Sequence, residues 1–326
     1  MRVGFAITRA ASIDATWTTV HLARAALDLG LSVRFVEPWD FELDRRRTLV
    51  ARAHAFDAPT SAEAIAEQLS SRSAPRRYVD VGKLDLLLLR AAPLDPGIFA
   101  FAELAKEQGV RVVNDPAGMI RVTHKAWLAS LPGVPVPPSV VTRSRSSARL
   151  FYASLSDGAV VKPARGSGGR GVRRVPARDE SALDDAFDEA GRHGDGYVVV
   201  QQYAPEASEG EKRLVWLDGE VLGGYVRQRA PGEFRHNLKR GATPSSTQVD
   251  DRDRASVEAL SPHLLRAGIR LAGLDVIGPW VIEVNVLNPG GTYHTDRLSG
   301  TSLADRILSR LISPLEHSPS WVHPER

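Results

Sequence analysis

A glycine-rich loop between two apolar segments is the feature that most restricts the fold of this chain. Residues 160–163 are Val-Val-Lys-Pro, and the loop after them has four glycines in six positions, Gly166, Gly168, Gly169 and Gly171. A second valine-containing segment follows at 172–175, so the pattern predicts strand, loop and strand. Glycines at this density let several backbone N–H groups point at one anion, which suits a phosphate. The motif alone leaves open a glycine-rich hairpin loop that binds nothing.

Two common phosphate-binding motifs do not match this loop. No Gly-Lys-Ser/Thr closes it and no helical pattern follows directly, so it is not a P-loop. A dinucleotide fingerprint requires a helix that opens at the last glycine, and none is predicted here. A lysine at the end of the incoming strand, Lys162, followed by a glycine loop between two strands, instead resembles the lid of an ATP-grasp ligase.

Composition restricts the class of protein further. At 326 residues the chain is too long for one ordinary core, so we expect two or three domains. The 42 basic and 39 acidic residues give a net charge of only +3, which indicates neither a nucleic-acid nor a membrane partner. The chain has no cysteine, which excludes disulfides, thiolate zinc sites and thiol catalysis. No apolar run has the length of a signal-peptide core or a membrane span, so we expect a cytoplasmic protein.

The first third of the chain alternates apolar segments with helical patterns, which predicts a small open α/β layer with a parallel sheet. Strands are predicted at residues 2–7, 32–37, 84–89 and 111–114. Helices are predicted at residues 16–29, 61–71 and 96–108. Residues 41–56 are expected to form an irregular or hairpin insertion.

The remainder is predicted as a mixed α/β region after a proline-rich linker at 132–138. Helices are expected at 117–131 (with Lys125), 146–155, 180–193, 251–267 and 301–312. Strands are expected at 139–142 and 197–202, and hairpins at 213–217 with 221–227 and at 271–277 with 280–286. We expect a loop of functional length at 233–247 and a tail after residue 312.

The last hairpin carries candidate metal ligands. Glu283 and Asn285 are two residues apart on one strand and therefore share a face. If the turn takes three residues, 278–280, Asp275 lies opposite Glu283; a two-residue turn would shift that register. Three oxygen ligands on one face suit Mg²⁺ carrying phosphates and are too oxygen-rich for zinc. The alternative is that both carboxylates are partly solvated strand residues.

An ordered series of motifs resembles the ATP-grasp superfamily and, within it, bacterial glutathione synthetase. The resemblance covers most of the chain and includes the lid at 161–171 and the hairpin residues Asp275, Glu283 and Asn285. The other matching segments are 112–116, Lys125, 201–205, 209–213, 218–220, 231–235, 237–238, 273–278 and 283–286. The resemblance implies an ATP-grasp fold with an N-terminal Rossmann-like domain at 1–118. It also implies a mobile lid subdomain at 119–200, a catalytic subdomain at 201–313 and a tail at 314–326.

The resemblance further implies roles for individual residues. Nucleotide binding falls to Lys125, Lys162, Gly166, Ser167, Gly168, Gly169, Arg170, Gly171, Gln201, Gln202, Tyr203 and Glu211, with the backbone at 201–203 on adenine and Glu211 on the ribose. The metal ligands are Asp275, Glu283 and Asn285, holding Mg²⁺ or Mn²⁺. The catalytic residues are Arg227, Arg213 and Lys162. The substrate-binding residues are Arg213, Arg235, Asn237, Asn288, Gly290 and Gly291. Arg213 and Arg235 each have an alternative interpretation as surface arginines.

Departures from the glutathione synthetase pattern fall mainly on the substrate side. Residues 7–9 are Ile-Thr-Arg where the family has Met-Asp-Pro, and residues 90–94 keep the arginine but lose the Asp-Pro-Pro. Residues 239–242 and 287–290 also differ from the family pattern. The nearby His294 is either a substrate contact or a solvated loop residue.

These features predict an ATP- and Mg²⁺-dependent carboxylate–amine ligase that works through an acyl phosphate. The first substrates to test are γ-glutamylcysteine and glycine. A ligase for a different acid and amine, for example in specialised peptide biosynthesis, is the alternative, and a nucleotide-binding module without turnover is a third hypothesis. The expected partners are small-molecule acid and amine substrates, with no nucleic acid and no membrane; the sequence leaves both a monomer and a homo-oligomer open.

Overall fold

A computed structural model describes residues 1–93, 95–166 and 168–313. Ser167 and the expected tail at 314–326 lie outside the described residues. The described chain forms three sheets, of seven, four and five strands, with helices packed against them. Short 3₁₀ helices occur at Ala10–Ser12, Pro38–Asp40, Val81–Lys83, Pro205–Ser208 and Leu238–Arg240.

The seven-stranded sheet forms the N-terminal α/β layer. Its elements are β1 (Arg2–Ala6), α1 (Thr18–Asp28), β2 (Ser32–Val36), β3 (Phe41–Leu43), β4 (Leu49–Phe56), α2 (Ala62–Ser70), β5 (Arg76–Asp80), β6 (Leu86–Leu89), α3 (Pro96–Glu107) and β7 (Arg111–Val113). Strands β2, β1, β6 and β7 are neighbours in that order and run parallel, which confirms the predicted α/β layer. Strands β3, β4 and β5 extend the sheet in antiparallel fashion, and β5 was not predicted.

A single helix predicted at 117–131 is wrong. The structure has two short helices, α4 (Pro116–Val122) and α5 (Lys125–Ala129). His124 between them has extended backbone dihedrals, and its Nδ1 accepts a hydrogen bond from the Ala126 N–H at 3.2 Å. The Lys125 N–H donates to the Ala164 carbonyl at 3.0 Å instead of continuing the helix. Lys125 therefore starts a new helix beside Ala164.

The four-stranded sheet lies within residues 119–200, the predicted lid subdomain, and is called the lid sheet below. It contains β8 (Ser139–Thr142), α6 (Arg145–Tyr152), β9 (Ala159–Pro163), β10 (Arg173–Val175), α7 (Glu180–Gly191) and β11 (Val198–Gln202). The strand order is β10-β9-β11-β8, antiparallel throughout. The two helices pack against the sheet around Tyr152, Leu183 and Val198, which form a small core of their own. The glycine loop joins β9 to β10, as predicted.

The five-stranded sheet carries the hairpin with the predicted metal ligands, which is called the metal-site hairpin below. Its elements are β12 (Glu211–Leu217), β13 (Glu220–Gln228), β14 (Thr243–Ser246), α8 (Asp251–Arg266), β15 (Leu271–Ile277), β16 (Trp280–Asn285), α9 (Thr292–Ser299) and α10 (Leu303–Ile312). The strand order is β14-β13-β12-β15-β16.

Two elements of this region escaped the sequence prediction. Strand β14 lies within the predicted loop at 233–247, and its polar Thr-Pro-Ser-Ser sequence pairs only through the edge of β13. Helix α9 begins at Thr292 and has no apolar periodicity that would reveal it. Among the described residues, no helix combines the length and the apolarity needed to cross a bilayer.

Candidate active site

A cleft that is open to solvent lies between the lid sheet and the five-stranded sheet. Most of the predicted site residues line it. They are Lys125, Lys162, Gly166, Gly168, Gly169, Arg170, Gln201, Gln202, Tyr203, Glu211, Arg213, Arg227, Arg235, Asn237, Asp275, Glu283 and Asn285. The glycine loop and the carboxylate hairpin therefore face one shared space.

The hairpin between β15 and β16 reaches the predicted pairing by an unexpected route. Ile277 pairs with Trp280, so the turn has two residues, which is the alternative that was expected to shift the register. A bulge next to Asp275 inserts Ile282 as an extra residue and shifts the register by one. Asp275 consequently lies opposite Glu283, which is the pairing that the three-residue turn was expected to produce.

Asp275 is the most heavily bonded carboxylate of the cleft. It is buried, and Arg213 binds it with Nε and Nη2 at 2.5 and 2.9 Å. Arg227 Nη2 lies 2.6 Å from Oδ1, and Asn285 Nδ2 donates to Oδ2 at 3.1 Å. Burial favours the protonated acid, but the two guanidinium groups outweigh it and hold the pKa of Asp275 below its usual value.

The two predicted catalytic arginines are held by carboxylates. Arg227 also contacts Glu211, which lies two residues before Arg213 on β12 and on the same face. Burial opposes the charge of Arg213, but Asp275 outweighs it and raises the pKa of this guanidinium. Burial and the nearby Asp275 raise the pKa of Glu211. The arrangement fixes two permanent cations at the base of the cleft.

The two predicted phosphate-binding lysines enter the cleft from different elements. Lys125 at the start of α5 lies 3.0 Å from Glu283 Oε1 and donates to the Gly166 carbonyl at 3.2 Å. Lys162 on β9 donates to Gln201 Oε1 at 2.9 Å and lies 3.4 Å from the Ile282 carbonyl. Burial lowers the pKa of Lys162 to about 8. Lys162 has no ion-pair partner among the described side chains, so an incoming anion would relieve its burial.

An apolar slot lies at the end of β11, where the sequence predicts adenine. Tyr203, Ala204, Ala207 and Ile277 form a small cluster, with Val160 packed against it. The predicted backbone donors are in use, because the N–H groups of residues 202 and 203 donate to the carbonyls of residues 138 and 158. These side chains line the cleft and give this end of it an apolar wall.

Several lining residues were missed in the sequence. Val160 shares a face of β9 with Lys162, so strand alternation could have found it. Ile282 faces the cleft through the bulge, which carries no sequence signal. Phe234 and His236 also line the cleft, and the buried His236 lies 2.9 Å from the Ala207 carbonyl.

The predicted substrate clamp, Arg235, is bound within its own loop. Its Nε and Nη2 donate to the two Glu233 oxygens at 2.9 and 2.7 Å, which lowers the pKa of Glu233 to about 2. Its Nη1 donates to the Gly169 carbonyl at 3.1 Å, so the arginine connects this loop to the glycine loop. The side-chain oxygen of Asn237 accepts from the Lys239 N–H at 2.8 Å.

Four predicted site residues lie outside the cleft lining. Gly171 packs against Pro163 and His193 at the far end of the glycine loop. Asn288 accepts a hydrogen bond from Thr19, Gly291 lies beside Arg213, and the Gly290 carbonyl lies near Gly273. His294 lies on α9, 5.2 Å from the Tyr225 ring, so it is not the loop residue expected; burial lowers its pKa.

The predicted metal ligands are oxygen donors, which is the ligand type that Mg²⁺ prefers. The described residues contain no group of three or more His, Cys, Asp or Glu side chains placed to hold a metal. Asp275 and Glu283 instead offer carboxylate oxygens and Asn285 an amide oxygen, on paired strands facing one cleft. Mg²⁺ keeps several waters and phosphate oxygens as ligands, so a small set of hard protein ligands suits it. The ligand assignment stays a prediction.

Comparison with known proteins agrees with this architecture. The family model for the prokaryotic glutathione synthetase N-terminal domain matches residues 1–121, and the model for the ATP-grasp domain matches residues 124–300. The chain is 31% identical to a glutathione synthetase of Thermosynechococcus vestitus over 328 residues, covering 96% of this chain and 100% of that protein. It is 30% identical to the Pseudomonas aeruginosa glutathione synthetase, covering 72% of this chain and 74% of that one.

Solved structures show the same fold at low sequence identity. D-cycloserine synthetase DcsG superposes with a TM-score of 0.66 at 18% identity, covering 95% of this chain and 99% of that one. The VanG D-Ala:D-Ser ligase of Enterococcus faecalis gives 0.65 at 16%, covering 96% and 99%. The fold and the cleft thus define an ATP-grasp enzyme, an ATP-dependent ligase that forms carbon–nitrogen bonds. The chain belongs to the prokaryotic glutathione synthetase family.

Proposed function

We propose that this enzyme joins γ-glutamylcysteine and glycine at the expense of ATP, with Mg²⁺ or Mn²⁺ bound by Asp275, Glu283 and Asn285. The observation that carries the proposal is the cleft itself. Two lysines, two buried arginines and the paired carboxylates of β15 and β16 converge beneath a glycine loop. The two substrates are chosen because the relatives named above are glutathione synthetases.

The reaction that this site supports has two steps. The acid's carboxylate oxygen attacks the γ-phosphorus of ATP, which releases ADP and gives an acyl phosphate. The amine nitrogen then attacks the acyl carbon, inorganic phosphate leaves, and the nitrogen loses a proton to give the amide. In the first step two anions approach each other, so charge stabilisation in a site closed to water is the main requirement.

The chain's own cations meet that requirement. Lys125 and Lys162 reach the phosphate region from α5 and β9, and the glycine loop lies beside Lys125. Arg213 and Arg227 are fixed by Asp275, so they enter the reaction already oriented and charged. A metal held by Asp275, Glu283 and Asn285 would add positive charge near the phosphates. We assign Arg227 to the transferring phosphoryl group and Arg213 to the substrate carboxylate.

The lid assignment is part of the same proposal. Residues 119–200 would act as the mobile lid over a catalytic subdomain at 201–313, with residues 1–118 as the N-terminal domain. Arg235 Nη1 donates to the Gly169 carbonyl, and this hydrogen bond links the 233–247 loop to the glycine loop. Opening the lid requires this contact to break.

A second candidate is a ligase for another acid and amine. It is favoured by residues 90–94 and 287–290, which depart from the glutathione synthetase pattern where the N-terminal layer meets the catalytic sheet. Phosphate release assayed with γ-glutamylcysteine and glycine, against a panel of amino acids and dipeptides, separates the two. We expect the highest kcat/KM for the glutathione pair; higher values for another pair would replace it, and no acid-dependent ADP formation with any pair would refute the ligase.

A further inference from the structure

A single carboxylate, Asp195, joins two segments that each lead into the cleft. It lies between α7 and β11, and its Oδ2 is 3.1 Å from His124 Nε2 and 3.2 Å from Arg165 Nε. Its Oδ1 accepts a hydrogen bond from the Tyr197 N–H at 3.2 Å. Burial opposes ionisation, but the Tyr197 N–H, His124 and Arg165 outweigh burial and hold the pKa of the carboxyl below its usual value. Asp195 is therefore an anion with both oxygens bound inside the protein.

Each side-chain partner of Asp195 directly precedes a residue of the cleft lining. His124 precedes Lys125, and Arg165 precedes Gly166. Lys125 Nζ in turn donates to the Gly166 carbonyl at 3.2 Å. The bonds to the carboxylate at one end and the lysine–carbonyl bond at the other close a ring around the start of the glycine loop.

His124 makes a different hydrogen bond with each ring nitrogen. Its Nδ1 accepts from the Ala126 N–H at 3.2 Å and caps α5, so Nδ1 carries no proton and Nε2 carries it. The Nε2–H group is then the donor to Asp195. The two bonds fix the plane of the ring and the direction in which α5 begins. Lys125 is the first residue of that helix, so its backbone is held by the same two bonds.

We propose that Asp195 is a positioning residue for ATP binding, which holds Lys125 in register with the glycine loop so that both meet the same phosphates. Without this link, Lys125 has a long flexible side chain and a competing partner, Glu283, at 3.0 Å. Holding its backbone and the start of the loop beforehand lowers the cost of ordering them when ATP binds. The inference rests on the proposed function, because it takes Lys125 as a phosphate ligand.

The test measures the affinity of the full-length protein for a non-hydrolysable ATP analogue with Mg²⁺. Asp195→Asn keeps the shape of the side chain but has one acceptor oxygen, so it cannot serve both the Tyr197 N–H and the two side-chain donors. His124→Asn keeps a good helix cap but is too short to reach Asp195. Each variant should weaken binding by roughly threefold to thirtyfold, the range for a hydrogen bond to a partly exposed charged group.

The loss should depend on Lys125. Lys125→Met alone should weaken binding by at least about tenfold, because it removes a charge at the phosphates. In the Lys125→Met background, Asp195→Asn and His124→Asn should each weaken binding by less than about twofold more, because the side chain that they position is gone.

A purely structural role predicts a different pattern. The loss of affinity would then be the same in the wild-type and Lys125→Met backgrounds and would accompany earlier unfolding in urea; that result would overturn the proposal. Wild-type affinity in Asp195→Asn and His124→Asn would overturn it as well. If Asp195→Asn does not fold, His124→Asn decides by the same criteria.

The matched control is Asp184→Asn. Asp184 on α7 is also held by two arginines, Arg145 at 3.3 Å and Arg149, and neither of them leads into the cleft. Asp184→Asn should leave the affinity for the analogue within about twofold of its parent in both backgrounds. A loss as large as that of Asp195→Asn would show that any weakened ion pair beside the lid sheet has this effect, and would remove the specific role of Asp195.

Failure of the proposed function is recognised separately, because no acid or amine enters this measurement. If the substrate panel finds another acid while the effect of His124→Asn still depends on Lys125, the substrate assignment changes and the positioning role stands. Wild-type affinity in Lys125→Met would remove this lysine from the phosphates and the positioning role with it, whereas the panel still decides the ligase reaction.

Discussion

Among the cleft carboxylates, Glu283 is bound by one lysine, whereas Asp275 is bound by two arginines and an amide. The Lys125–Glu283 pair, at 3.0 Å, is partly exposed and can exchange its lysine for a metal without unfolding the hairpin. Asp275 is buried beneath Arg213 and Arg227 and is also part of the packing of the sheet. Removing charge at Glu283 is therefore the cleaner test of the metal assignment.

We expect Glu283→Gln to lower turnover by about a hundredfold or more, because it removes metal-binding charge while keeping the side chain's shape. Thermal unfolding should stay within a few degrees of wild type. The matched control is Glu220→Gln, whose ion pair with Arg310 at 2.6 Å is exposed and far from the cleft. Turnover by Glu283→Gln at the wild-type rate under saturating Mg²⁺ would remove Glu283 from the metal site.

Lys162 gives a pH-dependent prediction for ATP binding. In the free protein burial lowers its pKa to about 8, so it is charged below that pH and increasingly neutral above it. Phosphates favour the charged form, so binding above pH 8 must take up a proton and affinity should fall by up to about tenfold per pH unit. Calorimetry with a non-hydrolysable ATP analogue between pH 7 and 10 measures this slope.

The Lys162→Met variant provides the comparison. It should bind the analogue at least about tenfold more weakly at pH 7, since it lacks a charge at the phosphates. It should also show little change with pH above 8, because the titrating group is gone. An affinity that is flat with pH in wild type would mean that Lys162 does not meet the phosphates.

For individual residues, the sequence predicts positions in the cleft when the residues are neighbours along the chain. It misses contacts between residues that only the fold brings together. Lys162 and the glycines are adjacent along the chain, so their joint position in the cleft follows from one loop. Arg235 binds Glu233 in its own loop and the Gly169 carbonyl in the glycine loop. The second contact depends on how the two loops pack together, which the spacing of residues along the sequence does not show. Arg90 is likewise a single arginine in an arginine-rich chain until the fold buries it.

The β15–β16 hairpin shows how an element can reach a predicted register by a different backbone path. Gly-Pro favours a tight turn, and the two-residue turn shifts the pairing by one. The bulge at Ile282 reverses that shift before Glu283, so the carboxylates still face each other. Alternation of apolar and polar residues predicts which face is used but cannot show where a bulge inserts. The side-chain pattern was therefore sufficient for the face that Glu283 and Asn285 share, and it left the turn length and the pairing of Asp275 open.

The glycine loop contains two positions that separate backbone strain from packing. Gly168 and Gly171 both have positive φ, at 71° and 64°. A Cβ at Gly168 would meet nothing within 4 Å, whereas one at Gly171 would lie 2.6 Å from His193 Cδ2 and 3.1 Å from Pro163 Cγ. An alanine at either position incurs the left-handed penalty of about 1–2 kcal/mol. Only Gly171→Ala adds a steric cost.

We therefore expect Gly171→Ala to destabilise the protein by about 1–3 kcal/mol more than Gly168→Ala, the usual range for overpacking. Urea unfolding of the two variants measures the difference. Gly168→Ala should affect mainly the KM for ATP, because its loop faces the cleft without packing against the lid core. Equal stability of the two variants would show that His193 moves aside freely.

At the scale of the whole molecule, the N-terminal layer and the five-stranded sheet share their hydrophobic cores. One buried cluster contains Leu87 of β6 together with Trp216 and Leu274 of the five-stranded sheet. Another joins Phe5 of β1 to Leu303 of α10. Such shared cores bring residues far apart in sequence into contact, so composition and periodicity could indicate two layers but not their common interior. The lid sheet has a separate and smaller core.

Asn114 is a buried polar connection between these layers. It follows β7 and is buried, and its Nδ2 donates to the carbonyls of Leu271 and Val286 at 2.8 and 3.3 Å. Its Oδ1 accepts from the N–H groups of Arg270 and Leu271, both at 2.9 Å. The amide side chain thus uses its full hydrogen-bonding capacity on backbone groups at the start and end of the metal-site hairpin.

Asn114→Ala would leave these buried backbone groups without partners, at about 1–3 kcal/mol for each unsatisfied group. We expect a total loss of about 3–5 kcal/mol in unfolding free energy, at the upper end for single substitutions. The control Asn237→Ala removes one local bond at a partly exposed site and should cost less than about 1 kcal/mol. Because the cores are shared, the variant should still unfold in one transition by both fluorescence and circular dichroism. Two separated transitions would instead show that Asn114 is what couples the layers, and a loss below 1 kcal/mol would show that water replaces its bonds.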